Sequence, residues 1–130
     1  AAAGIKRLGL EGRISKYFDA GEIIPAACQG ILALQARRDF DVSVLDGVND
    51  PETMEIARTE RVFVRTLDGG CSSPVAAHAV LNGGHMTITG LYAKEDGSEF
   101  ITGTVEAARG TSENAAAELA LQLKERGKTL

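Results

Sequence analysis

The spacing of hydrophobic and polar positions changes several times along the chain, and each change predicts an element. Residues 2–9 and 11–18 read as short helical pieces, interrupted around Gly9 and Gly12. "EIIPA" (22–26) and "GILALQAR" (30–37) read as strands, with Pro25 marking an edge or a bend. The second is apolar almost throughout, the pattern of a strand covered on both faces. Nothing else in the first forty residues supplies those covering layers, which predicts that this segment depends on chain not included here.

From "DFDVSVLDGVND" onward the pattern supports itself. Asp50 and Pro51 read as an N-cap followed by a proline at the first helical position. Ile56, Ala57, Glu60, Phe63, Val64 and Leu67 then follow helical spacing, with Glu60 the polar exception on an apolar stripe, and Gly69 and Gly70 end the helix. Three strand candidates follow: 75–81, 85–93 and 99–107. The turn signals Asn82-Gly83-Gly84 and Glu95-Asp96-Gly97 between them predict two antiparallel hairpins. A last helix runs from about Ser112 to Arg126, with Ala116, Leu119, Ala120 and Leu123 as its apolar stripe and Gly127 as its stop. The expected class is α+β: a small antiparallel three-stranded sheet packed with helices.

Length and charge narrow the picture. The chain has 130 residues and a formal net charge of −4, enough for one small core and too acidic for a broad nucleic-acid or anionic-membrane surface. No apolar run approaches the roughly 18–20 residues that span a bilayer. The opening "AAAGIKRLGL" begins as if inside a helix, has no initiating Met and lacks a signal-peptide pattern, so a fragment is expected. Two cysteines make no disulfide framework, which favours a reduced, cytoplasmic setting, and Cys28 among small apolar neighbours reads as a buried small hydrophobe.

The chemistry candidates are few. His78 and His85 form no zinc-spaced pair with either cysteine, and neither "NGG" nor "DGG" joins a strand to a helix as a phosphate loop does, so no metal or phosphate site is expected. Cys71, in "LDGGCSSP" (67–74), is more informative. It follows a helix C-terminus, whose partial negative charge disfavours a thiolate, and no histidine lies near it in sequence. An incidental loop cysteine, a covalent attachment point and a nucleophile all remain open on these residues alone.

"RLGL" (7–10), "PAACQG" (25–30), "ERVFVRTLDGGCSSPVAAHA" (60–79) and a following "DG" turn together resemble the C-terminal part of the porphobilinogen deaminase (hydroxymethylbilane synthase) family. The resemblance runs over essentially the whole chain. The ordered set is specific where a lone Gly-Gly-Cys would be weak.

The resemblance implies an enzyme of tetrapyrrole biosynthesis that joins four porphobilinogen molecules head to tail with loss of ammonia. It implies a dipyrromethane cofactor held by a thioether to Cys71, which makes that thiol an anchor and not a turnover nucleophile. Loss of ammonia leaves a cationic azafulvene, to be stabilised by a carboxylate that the family places in an N-terminal domain and that no residue here matches. The acetate and propionate groups of the substrate call for arginines, and Arg7 matches the family's cleft-lining arginine. Gln29 and Gly30 match residues bordering the pyrrole site, while Arg61 and Arg65 are read as structural. On the family's three-domain template, residues 1–38 are segments of domains two and one, and residues 39–130 are the cofactor-anchoring third domain. Porphobilinogen and the missing N-terminal domains are the implied partners, and the chain alone is expected to be inactive, with Cys71 a free thiol. The rival readings are a free-standing α+β binding or regulatory module with Cys71 incidental, and a thiol enzyme using Cys71.

Overall fold

The computed structural model describes residues 2–68 and 74–128. A short helix α1 (Ala2–Arg7) and 3-10 turns at Glu11–Arg13 and Val42–Leu45 precede the regular part. That part runs α2 (Pro51–Thr66), β1 (Val75–Asn82), β2 (His85–Ala93), β3 (Phe100–Ala108) and α3 (Ser112–Gly127). The sheet is an antiparallel meander in the order β1-β2-β3, with Asn82 opposite His85 at the first turn and Ala93 opposite Phe100 at the second. The α+β class and both hairpins are as the alternation of the sequence predicts.

Local chemistry sets the ends of α2. Asp50 accepts from the Glu52 amide at 3.0 Å and from the Thr53 hydroxyl at 2.8 Å, and Pro51 needs no partner at the first helical position. At the other end Asp68 turns left-handed (φ 55°) and donates its amide to the Arg65 carbonyl. The expected stop at Gly69 and Gly70 lies outside the described residues.

Both helices cover one face of the sheet. Phe63 and Leu67 from α2 and Ala116, Leu119, Ala120 and Leu123 from α3 pack with Ala77, Ala79, Met86 and Ile88. Fully burying each larger apolar side chain is worth roughly 1.5–3 kcal/mol, so this cluster anchors the fold. Thr59 and Ser112 are buried between the helices and share a hydroxyl–hydroxyl hydrogen bond of 2.9 Å, which meets the polar need of both.

α3 ends at Gly127, as expected, and a Cβ there would fall 2.5 Å from Tyr92 Cε1, so the missing side chain lets the helix end rest on that ring.

The first forty residues depart furthest from expectation. The helix at 2–9 ends at Arg7, where Gly9 (φ 69°) lets Leu10 donate to the Ile5 carbonyl and Gly9 to that of Lys6. Only Glu11–Arg13 of the second predicted piece winds, as a 3-10 turn. A helix that short is marginal without a packed face, and α1 buries none of its residues. Neither 22–26 nor 30–37 is a strand, because no described segment pairs with them. Leu32 is 94% exposed and Leu34 66%. Pro25–Ile31 instead folds into two successive turns closed by Gln29 N–H to Ala26 O and Ile31 N–H to Cys28 O, both 3.0 Å.

Candidate functional site

Helical spacing places Glu60 on the inward stripe of α2, between Ile56 and Phe63, where a carboxylate is costly to bury without partners. Glu60 is only 3% exposed, and both its oxygens are used. Oε1 accepts from the Ala79 amide at 2.8 Å, and Oε2 accepts from the Cys28 amide at 2.6 Å. His78 Nδ1 lies 3.7 Å from Oε1. One side chain therefore joins α2, the outer edge of β1 and the turn that carries Gln29 and Gly30.

That turn is shaped by its backbone. Cys28 takes φ 61° and Gly30 φ 87°, and Ala27 packs against the core cluster. Pro25, Gln29 and Ile31 line one side of a 190 Å³ cavity whose other side includes Ile56, Glu60 and His78. Gln29, which lines the cavity, and the adjoining Gly30 are both exposed to solvent. Cys28 is half-buried rather than fully buried, because the turn needs its amide at Glu60, and its thiol donates to the Ala57 carbonyl at 3.7 Å. Burial, and then the Glu60 carboxylate, push the Cys28 thiol above its ordinary pKa, against an opposing pull from Arg61. A protonated thiol in this position is a poor nucleophile.

The other predicted site residues are placed unevenly. Arg7 sits in the last turn of α1, exposed, with no ion pair or hydrogen bond among the described residues. Such a guanidinium is available to a ligand carboxylate. Cys71 lies outside the described residues. Just ahead of it, Lys124 of α3 lies 3.5 Å from the Asp68 carboxylate and ties that end of α2 to α3. Arg61 and Arg65 are exposed on α2. Among the described residues no three His, Cys, Asp or Glu side chains form a metal-binding group, and no helix is long and apolar enough to cross a membrane. Sequence reasoning did not select Glu60 as a site residue, although a glutamate on an otherwise apolar stripe was the available signal.

The arrangement defines a two-layer α+β domain with an upstream turn locked onto its sheet edge by a buried carboxylate. The model of the porphobilinogen deaminase C-terminal domain matches residues 54–126, and that of the porphobilinogen deaminase dipyromethane cofactor binding domain matches residues 1–44. The chain belongs to the porphobilinogen deaminase family. It is 51% identical to the porphobilinogen deaminase of Alkaliphilus oremlandii over 124 residues, covering 95% of this chain and 42% of that protein. It is 43% identical to the one from Ruminiclostridium josui over 124 residues, covering 95% and 43%. With the Acetivibrio thermocellus protein the identity is 49% over 100 residues, covering 77% and 34%. The chain thus spans about two fifths of the length of the first two of these relatives.

Proposed function

We propose that this chain forms the C-terminal, cofactor-carrying part of a hydroxymethylbilane synthase, which condenses four porphobilinogen molecules head to tail with loss of ammonia. The observation that carries the reading is the ordered match of both family models, joined in the fold by Glu60, which links the motif at 25–30 to that at 60–79. A dipyrromethane group on the Cys71 sulfur would supply the primer to which pyrrole units are added. Arg7, exposed and without an ionic partner among the described residues, suits the acetate and propionate groups of a pyrrole, which it can hold bidentately. Gln29 and Gly30 border the pyrrole on the rim of the turn. Residues 1–38 then serve as segments of the two N-terminal domains and 39–130 as the cofactor-anchoring domain, with porphobilinogen as partner and the cytoplasm as compartment. The 130-residue chain alone is expected to be inactive, with Cys71 unmodified.

The test is a chimera in which this chain replaces the matched stretch of the Alkaliphilus oremlandii protein. The reading expects porphobilinogen consumption and a two-pyrrole mass increment on Cys71, both lost in Cys71→Ser. Full activity with an intact covalent adduct in Cys71→Ser would overturn it.

A further inference from the structure

Glu60 has the geometry of a clamp. Its carboxylate is buried, and each oxygen takes one backbone amide from a different part of the chain, Cys28 in the turn and Ala79 on β1. Ala79 belongs to an edge strand, and the carboxylate takes an amide that no neighbouring strand takes. Gln29 directly follows Cys28, and the Cys28 carbonyl closes the next turn by accepting from Ile31. The backbone carrying Gln29 and Gly30 thus continues directly from two anchored residues, Ala27 packed on the core and Cys28 held at Glu60. A charge-assisted bond to a buried carboxylate is among the stronger ways to fix such a turn.

We propose that Glu60 is a positioning residue: through the Cys28 amide it sets the place and orientation of the Gln29–Gly30 rim relative to the C-terminal domain. This rests on the reading of that rim as part of the pyrrole site. The role also accounts for a carboxylate on an apolar stripe, since an apolar residue at 60 would leave the Cys28 and Ala79 amides without their acceptor.

The test uses Glu60→Gln and Glu60→Ala in two settings. In the 130-residue chain, amide hydrogen exchange is read at Cys28, with β2–β3 amides as the folding control. In Glu60→Ala the Cys28 amide should exchange about tenfold faster or more, with β2–β3 protection retained. Glu60→Gln keeps one acceptor oxygen and should fall between alanine and wild type, which preserves the test if the alanine variant fails to fold. In the Alkaliphilus oremlandii chimera, the KM for porphobilinogen should rise about tenfold in Glu60→Ala, less in Glu60→Gln, with kcat within about threefold. Unchanged Cys28 exchange overturns the clamp. Faster exchange with an unchanged KM overturns the positioning role and leaves Glu60 a purely structural tie. A wild-type chimera without activity, alongside a confirmed clamp, overturns the functional reading and with it any role of the clamp in substrate placement.

Discussion

The ring of Phe63 occupies the space a side chain at Gly90 would need: a Cβ on residue 90 would fall 2.3 Å from Phe63 Cε2. Phe63 is fully buried in the last turn of α2, and Gly90 lies in the middle of β2, the central strand. A glycine in a central strand ordinarily costs stability, and here the cost is offset by close packing of helix on sheet. Gly90→Ala should therefore destabilise the chain by about 1–3 kcal/mol, in the range of other overpacked cores. Urea titration followed by circular dichroism measures it, and a midpoint at or above wild type would contradict this packing.

Thr59 and Ser112 hold α2 to the start of α3 through their buried hydroxyl pair. Thr59→Val keeps the shape but orphans the Ser112 hydroxyl, at a cost of about 1–3 kcal/mol. Adding Ser112→Ala removes the orphan, so the double variant should be more stable than the sum of the two single losses. A double-mutant cycle in denaturant gives the coupling, and strict additivity would mean that the two hydroxyls do not depend on each other.

The C-terminal half was legible because each signal there is local. Asp50-Pro51, the two hairpin turns and the stripe Ala116-Leu119-Ala120-Leu123 each specify their element without help from distant chain. The strands read at 22–26 and 30–37 failed for the converse reason. "GILALQAR" has the composition of a doubly covered strand, but a strand needs a hydrogen-bonded neighbour, and none of the described chain provides one. Gly127 ends α3 as the sequence indicates, but its second use, to admit the Tyr92 ring, was hidden because it depends on a contact 35 positions away. The site was half legible: the residue types in "PAACQG" and "ERVF" were visible as motifs, but that Glu60 reaches across to Cys28 was not, because periodicity gives the face of a side chain and not its partner.

Acid should loosen the start of α2. The Asp50 carboxyl is held below its ordinary pKa, first by the Thr53 hydroxyl and then by the Glu52 amide. A carboxyl with a depressed folded-state pKa contributes stability above its unfolded value of 3.8, and that contribution disappears as pH falls through the folded value. Asp50→Asn keeps a capping oxygen but cannot titrate. The wild type should therefore lose more stability than Asp50→Asn between pH 5 and pH 2, as read by thermal melts. Parallel losses in the two proteins would remove Asp50 from the acid response.

Arg7 offers a direct probe of the proposed substrate binding. Its guanidinium is exposed on α1 with no ion pair among the described residues, so removing it should not disturb the packed core. If it holds a pyrrole carboxylate, Arg7→Leu in the Alkaliphilus oremlandii chimera should cost about 1.5–3 kcal/mol of binding, read as about a tenfold to hundredfold rise in KM for porphobilinogen. Arg7→Lys should recover only part, because an ammonium cannot make the forked contact. Unchanged KM values in both variants would return Arg7 to the solvated surface.

Truncation separates the segments that lean on the core from those that do not. Residues 2–23 bury no side chain fully, and their contacts are mainly local turns and the exposed Lys16–Glu22 pair. Pro25–Ile31 differs, because Ala27 packs on the core cluster and Cys28 supplies one of the two amides that satisfy Glu60. A chain of residues 24–130 should therefore match the full chain within about 0.5 kcal/mol, the scale of changes away from buried contacts. A chain of residues 39–130 loses the Ala27 packing and leaves Glu60 Oε2 without its donor, which should cost about 1–3 kcal/mol, moderated where water reaches the oxygen. Adding Glu60→Gln should destabilise 39–130 less than it destabilises 24–130, since the contact it weakens is already absent. Equal stability of the two truncated chains would show that the turn at 25–31 rests on the domain without supporting it.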